Sequence, residues 1–166
     1  FPSAASAAKR ADVMASDDQD RPAEGRFAGR EHRFPVRVYF EDTDLSGVVY
    51  HANYLRYMER ARSDMLRLAG IDQRAHHDAG EGAYAVTDLA IRYRAPAKLD
   101  DALVVVTTLG AVRAASVDIH QTVMRGETIL TEGRVTAALV APSGRPRRQP
   151  AEWLAIFETL MGNTPT

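Results

Sequence analysis

The chain has 166 residues, a formal net charge of −1 and no cysteine. That length suits one domain with a core of its own, and the near-neutral balance offers no field for nucleic acid and no polybasic run for an anionic membrane. The missing cysteines exclude a disulfide framework, a thiolate zinc site and a cysteine nucleophile. No run approaches the roughly 18 apolar residues of a membrane span, and the N-terminus lacks the apolar core of a signal peptide. The expectation is therefore a cytoplasmic protein with a small-molecule or protein partner, no nucleic acid and no integral membrane segment.

Residues 1–32 read as a disordered tail, with Ala, Ser, Asp, Arg and Gly, no apolar periodicity and no aromatic residue between Phe1 and Phe27. The first residue is Phe, so Met14 is the expected native start. Arg33 to Glu41 alternates as a strand, with Phe34, Val36, Val38 and Phe40 on one face and Arg37 and Tyr39 on the other. Beyond an acidic turn, Tyr54, Met58, Ala61, Met65 and Leu68 recur at helical spacing. Arg56, Glu59, Arg60, Ser63, Asp64 and Arg67 are expected to face elsewhere, and Gly70 to follow the C-cap.

A polar link, Asp72 to Gly82, has some helical character. Four strand-like segments follow, roughly Ala83 to Arg94, Asp101 to Ala111, Ala114 to Met124 and Thr128 to Ala141, divided by turn signals. Val117, Ile119 and Val123 alternate with Asp118, His120 and Thr122, as in a sheet with one wet face. A last helix covers about Ala151 to Leu160.

Short connections between the later strands suit antiparallel hairpins, and only the long helix has an apolar face wide enough to fill their concavity. The fold class is α+β: a curved antiparallel five-stranded sheet over residues 33–160, wrapped around one central helix, with a short C-terminal helix. Unpaired strand edges in such a sheet call for a second subunit.

Chemistry gathers where the first strand meets the helix. Asp42, Asp44 and His51 lie there, with Gly47 in the turn and Asn53 placed to cap the helix. A helix N-terminus presents unsatisfied N–H groups and partial positive charge, so it can hold a carboxylate or an oxyanion. A carboxylate can serve there as a base for water or as a nucleophile. The plainer reading of Asp42 and Asp44 is an Asx turn, and of His51 a capping or packing imidazole. Gly47 permits either a turn or a close approach to backbone. Glu59 is a rival acid, but Arg62 and Ser63 one turn on make it a solvated ion pair. His76-His77-Asp78 lies in a polar surface link without a third spaced ligand, so no metal site is expected.

Tyr39-Phe40-Glu41-Asp42-Thr43-Asp44, Gly47-Val48-Val49-Tyr50-His51-Ala52-Asn53-Tyr54 and Tyr57-Met58-Glu59-Arg60-Ala61-Arg62 occur in this order. The sequence thereby resembles the hotdog-fold acyl-CoA thioesterases, and among them the Tol-Pal-associated branch of the hydroxybenzoyl-CoA thioesterase superfamily. The resemblance covers about Phe34 to Phe157. It implies a hotdog fold, hydrolysis of acyl-CoA thioesters, a catalytic carboxylate at Asp44, sites shared between two subunits, and a dimer or tetramer. In the residue reading His51 assists by hydrogen bonding, and Gly47, Val49, Tyr50 and Asn53 are expected to meet the substrate; coenzyme A phosphates could be met by Arg113 and Ser116, by Arg92, Arg94 and Lys98, or by Arg145, Arg147 and Arg148, and family analogy favours the Arg113 hairpin. No cofactor is needed, because coenzyme A arrives with the substrate; acyl carrier protein is a second possible donor. Phe40 departs from the tyrosine that relatives often carry, so no phenol role transfers there. A place at the periphery of the inner membrane follows from the Tol-Pal association.

Three other readings compete. Asp42 to Gly47 opens like a calcium-binding loop, but Asn53 stands where a bidentate Glu is required. An Asp-x-Asp phosphatase lacks the alternating helix and strand units it would need. A non-catalytic hotdog module that binds acyl groups or envelope proteins is the main alternative, opposed by the retention of Asp44 and His51.

Overall fold

A computed structural model describes residues 19–163. Met14 and the rest of the expected tail up to residue 18 lie outside the described residues. Six strands, β1 (Arg26–Ala28), β2 (Glu31–Arg37), β3 (Ala83–Tyr93), β4 (Ala102–Val112), β5 (Ser116–Arg125) and β6 (Thr128–Val140), form one sheet in the order β1-β2-β4-β5-β6-β3. Every pairing is antiparallel. The long helix α1 (Asn53–Leu68) lies in its concavity, followed by the short α2 (Gln73–Asp78) and, at the C-terminus, α3 (Ala151–Leu160).

Period-2 patterning decides which side of each strand meets α1. On β5, Val117, Ile119, Gln121 and Val123 are buried, whereas Asp118, His120 and Thr122 take the outer face. On α1 the buried set is Tyr54, Tyr57, Met58, Ala61, Asp64, Met65 and Leu66. Burying Met58 and Met65 contributes about 2 kcal/mol each of transfer free energy. Gly133 on β6 permits a close approach, because a Cβ there would meet Met58 Sδ and Cε at 3.0 Å. The helix ends in a Schellman arrangement: Gly70 N–H donates to Arg67 O (3.1 Å) and Ile71 N–H to Leu66 O (2.9 Å), with Gly70 at φ +89°.

Four expectations need correction. Residues 26–32, assigned to the tail, belong to the sheet, which has six strands instead of five; β1 is built from Arg, Phe and Ala and carries no alternation to announce it. The first strand stops at Arg37, and Phe40 enters a single 3-10 turn (Phe40–Asp42) with its ring 80% exposed. Asp64 is buried, held by a contact 32 residues away in sequence: His32 Nε2 lies 2.8 Å from Asp64 Oδ2, and Gly25 N–H donates to the same oxygen at 2.9 Å. His76 and His77 sit on α2, with the His76 ring packed against Trp153 at 4.5 Å.

Pro35 lies past the reach of β1, so β2 has only β4 as a neighbour there and the missing N–H is tolerated. Among the described residues β3 is paired on one side only, with β6.

Candidate active site

Where β2 ends, the chain turns through Phe40–Asp42 and then reverses on itself. Thr43 bridges Val49, Asp44 N–H donates to Val48 O (3.1 Å), and Gly47 N–H donates to Asp44 O (3.0 Å). Gly47 has φ +79° and open space where a Cβ would stand, so the turn and not a close contact calls for glycine.

Tight as it is, this reversal separates the two aspartates. Asp42 is buried: its Oδ2 accepts Tyr39 N–H (2.8 Å), and its backbone carbonyl accepts Tyr50 N–H and Asn53 Nδ2 (2.9 Å each). The Tyr57 hydroxyl nears the Asp42 carboxylate without regular hydrogen-bond geometry, and burial together with that neighbour holds the phenol well above its usual range. Asp42 therefore ties the loop to the helix. Asp44 faces solvent. Its Oδ1 accepts both the hydroxyl and the N–H of Ser46, the latter at 2.8 Å, while Oδ2 has no partner among the described residues. These two bonds, then the nearby His51, hold the Asp44 carboxyl below the ordinary carboxylate value and keep it ionised.

The helix start differs from expectation in one respect. Asn53 is the first helical residue; the N-cap is Ala52, which has no side-chain acceptor, and the Asn53 amide is spent on Asp42 O. Of the N–H groups between Val49 and Asn53, Val49 donates to Ala97 O, Tyr50 to Asp42 O and Asn53 to Tyr50 O, each at 2.9 Å. Those of His51 and Ala52 make no hydrogen bond among the described residues. Two free donors thus stand at the positive end of a 16-residue helix.

An open groove of about 320 Å³ begins at this point, lined by Val49, His51, Tyr54, Tyr93, Arg94, Ala95 and Pro96. The exposed His51 ring sits against Tyr50 at 4.5 Å and edge-on to Tyr93 at 6.3 Å. Tyr54 Oη accepts Ala97 N–H at 3.0 Å and fixes the wall. A wider hollow of about 560 Å³ lies on the outer sheet face around His120 and Arg134.

Asp44, Gly47, Val49, Tyr50, His51 and Asn53 are therefore brought together. Arg113 and Ser116 are not: they sit in the β4–β5 hairpin, at the end of the sheet where α1 finishes. The Arg113 guanidinium is spent on Asp118 through two 2.9 Å bonds, which push the Asp118 carboxyl down to about 2. Glu59 pairs with Arg62 and accepts the Ser63 hydroxyl at 3.2 Å, outside the groove. Tyr93 escaped the sequence reading. It alternates with Leu89 and Ile91 as a sheet residue, and nothing local ties it to His51.

Residues 46–132, just over half of the chain, match the family model of the Thioesterase superfamily. A relative from Haemophilus influenzae, acyl-CoA thioesterase YbgC, is 42% identical over 128 residues, or 76% of this chain and 94% of that protein. The chain belongs to the thioesterase superfamily. An acyl-CoA thioester hydrolase, YbgC of Escherichia coli O6:H1, is 41% identical to this thioesterase over 76% of the chain and 95% of the relative. Among solved structures, a probable thioesterase from Bartonella henselae is 36% identical with a TM-score of 0.68, covering 72% of this thioesterase and 99% of its own chain. The α+β hotdog architecture read from the sequence is thus the architecture of the thioesterase.

Proposed function

We propose that this thioesterase hydrolyses acyl-CoA to the free acid and coenzyme A, with Asp44 acting on the thioester carbonyl at the start of α1. The observation that carries the reading is an ionised carboxylate with one free oxygen, set beside two unspent N–H donors at a helix N-terminus. As base, Asp44 takes a proton from water while the water oxygen attacks the carbonyl carbon. As nucleophile, it forms a mixed anhydride that water then opens. Either way negative charge builds on the thioester oxygen, the His51 and Ala52 N–H groups receive it, the C–S bond breaks, and the thiolate leaves and takes up a proton. His51 assists from the groove rim by hydrogen bonding. Val49, Tyr50 and Asn53 shape and fix the helix entrance, and the Gly47 turn presents Asp44.

Two chains pairing along β3 complete the site in this reading. β3 is an 11-residue edge with Val86, Leu89 and Tyr93 exposed, an arrangement that invites another strand. The pair forms a dimer, or a tetramer through a second surface. Arg113 and Ser116 reach coenzyme A phosphates only if a partner carries them to the groove. Acyl carrier protein as a donor, the Tol-Pal association and a place in the cytoplasm or at the inner-membrane periphery belong to the same proposal. Among the described residues no helix is long and apolar enough to cross a membrane.

The test is thiol release from acyl-CoAs graded by chain length, with wild type and Asp44→Asn, and light scattering for the assembly. Full turnover by Asp44→Asn would remove this carboxylate from the chemistry.

A further inference from the structure

Tyr93 is the last residue of β3, paired with Thr131 of β6, and its hydroxyl donates to the carbonyl oxygen of His51 at 2.8 Å. His51 stands before the N-cap Ala52, whose own carbonyl accepts Leu55 N–H at 3.2 Å, so the His51 carbonyl lies outside the helical ladder and Tyr93 takes it up. The peptide is planar and trans, so its C=O and N–H point in opposite directions. The N–H on the same plane belongs to Ala52, one of the two donors left free at the helix start.

We propose that Tyr93 is a positioning residue for the oxyanion donors: by holding the His51 carbonyl on the sheet, it fixes the peptide plane that aims Ala52 N–H. The bond also polarises the peptide, since an accepting carbonyl makes the N–H across the plane a better donor. The sheet supplies the rigidity that a helix terminus lacks. The Tyr93 ring is edge-on to Tyr54 at 5.6 Å and to His51 at 6.3 Å, so the hydroxyl has one settled direction. Partial burial, with Tyr54 beside it, raises the phenol above its ordinary value, and it remains a donor across the working pH range.

This rests on the reading of Asp44 and the helix start as the reacting site. Tyr93→Phe keeps both ring contacts and removes only the donor. The expected result is a fall in kcat of about tenfold with KM changed less than about twofold, below the loss for deleting an oxyanion donor outright because the donor remains and only its aim loosens. The backbone nitrogen resonance of Ala52 is expected to move in the variant while those of Met65 and Leu66, at the far end of α1, stay in place. Tyr93→Leu should share the kcat loss and add a rise in KM, because it also removes an aromatic wall of the groove. An unchanged kcat in Tyr93→Phe overturns the assignment, as does a rise in KM alone, which would leave Tyr93 a wall residue. A Tyr93→Phe chain that fails to fold overturns it too, since the hydroxyl's role would then be structural. Asp44→Asn run alongside separates the two ideas. Full activity there sinks the site itself, whereas an inactive Asp44→Asn with an unimpaired Tyr93→Phe sinks only the positioning role.

Discussion

An aspartate–histidine pair stands near each end of α1, and burial gives the two pairs opposite meanings. Near the C-terminal end, His32 is fully sheltered and Asp64 is 2% exposed; the carboxylate accepts from Gly25 N–H and Arg67 as well as meeting the imidazole. Every strong site of that carboxylate is spent, while His32 Nδ1 has no hydrogen-bond partner among the described residues. Such a pair can only hold structure. A Cβ on Gly25 would stand 2.6 Å from His32 Nε2 and 2.7 Å from Asp64 Oδ2, so the chain leading into β1 is pressed directly onto it. At the N-terminal end, Asp44 and His51 are exposed, and one carboxylate oxygen and two backbone donors remain free for a ligand. Unspent hydrogen-bonding capacity in the open, and not the presence of an acid with an imidazole, marks the reacting end.

Breaking the buried pair should cost the most. Asp64→Ala strands His32, Gly25 N–H and Arg67, and is expected to lower stability by about 3 kcal/mol in urea unfolding while activity per folded molecule is kept. The converse holds for Asp44→Asn, which should lose at least about 100-fold in kcat/KM with an unchanged melting temperature. A melting temperature that fell with it would blur the contrast between the ends.

Acid should discriminate further. Burial lowers the His32 pKa from its ordinary 6.5, and contact with Asp64 only partly offsets this. The unfolded chain therefore takes up the proton first as pH falls. Stability is unaffected by this group above 6.5, declines as pH drops below it by at most about 1.4 kcal/mol per unit, and levels off below the folded value. His32→Gln should flatten that slope in a stability–pH series. The smallest effect belongs to Ser46→Ala: removing the hydroxyl, the first cause of the depressed Asp44 carboxyl, should let its pKa rise toward the ordinary 3.8 in an NMR titration. A pKa that stays low would assign the depression to the Ser46 N–H and His51.

The exposed end was the more legible one. Asp44, Gly47, His51 and Asn53 fall within ten residues of one another, so the sequence alone brings them near, and periodicity placed the long helix and the four later strands to within a few residues. The buried end depended on distant partners. Asp64 looks like any polar helical residue until His32 arrives from β2, and β1 lacks alternation because three residues beside a turn are too few to display it. The same limit hid Tyr93, whose bond to His51 spans 42 residues, and made Asn53 a cap on paper when its amide had Asp42 to serve. Phe40 followed the strand alternation until the turn took it outward.

Gly133 has leverage out of proportion to its size. With bare backbone at 133, the thioether of Met58 rests directly on β6, one turn beyond the residues that begin α1. A methyl group at 133 would press on the flexible end of Met58, which must turn aside among Val49, Tyr54 and Tyr57 with no groove residue altered in sequence. Chain-length preference would then be adjustable from underneath. A shift of Gly133→Ala toward bulkier acyl-CoAs would measure that leverage, and an unmoved preference would place the control of selectivity elsewhere.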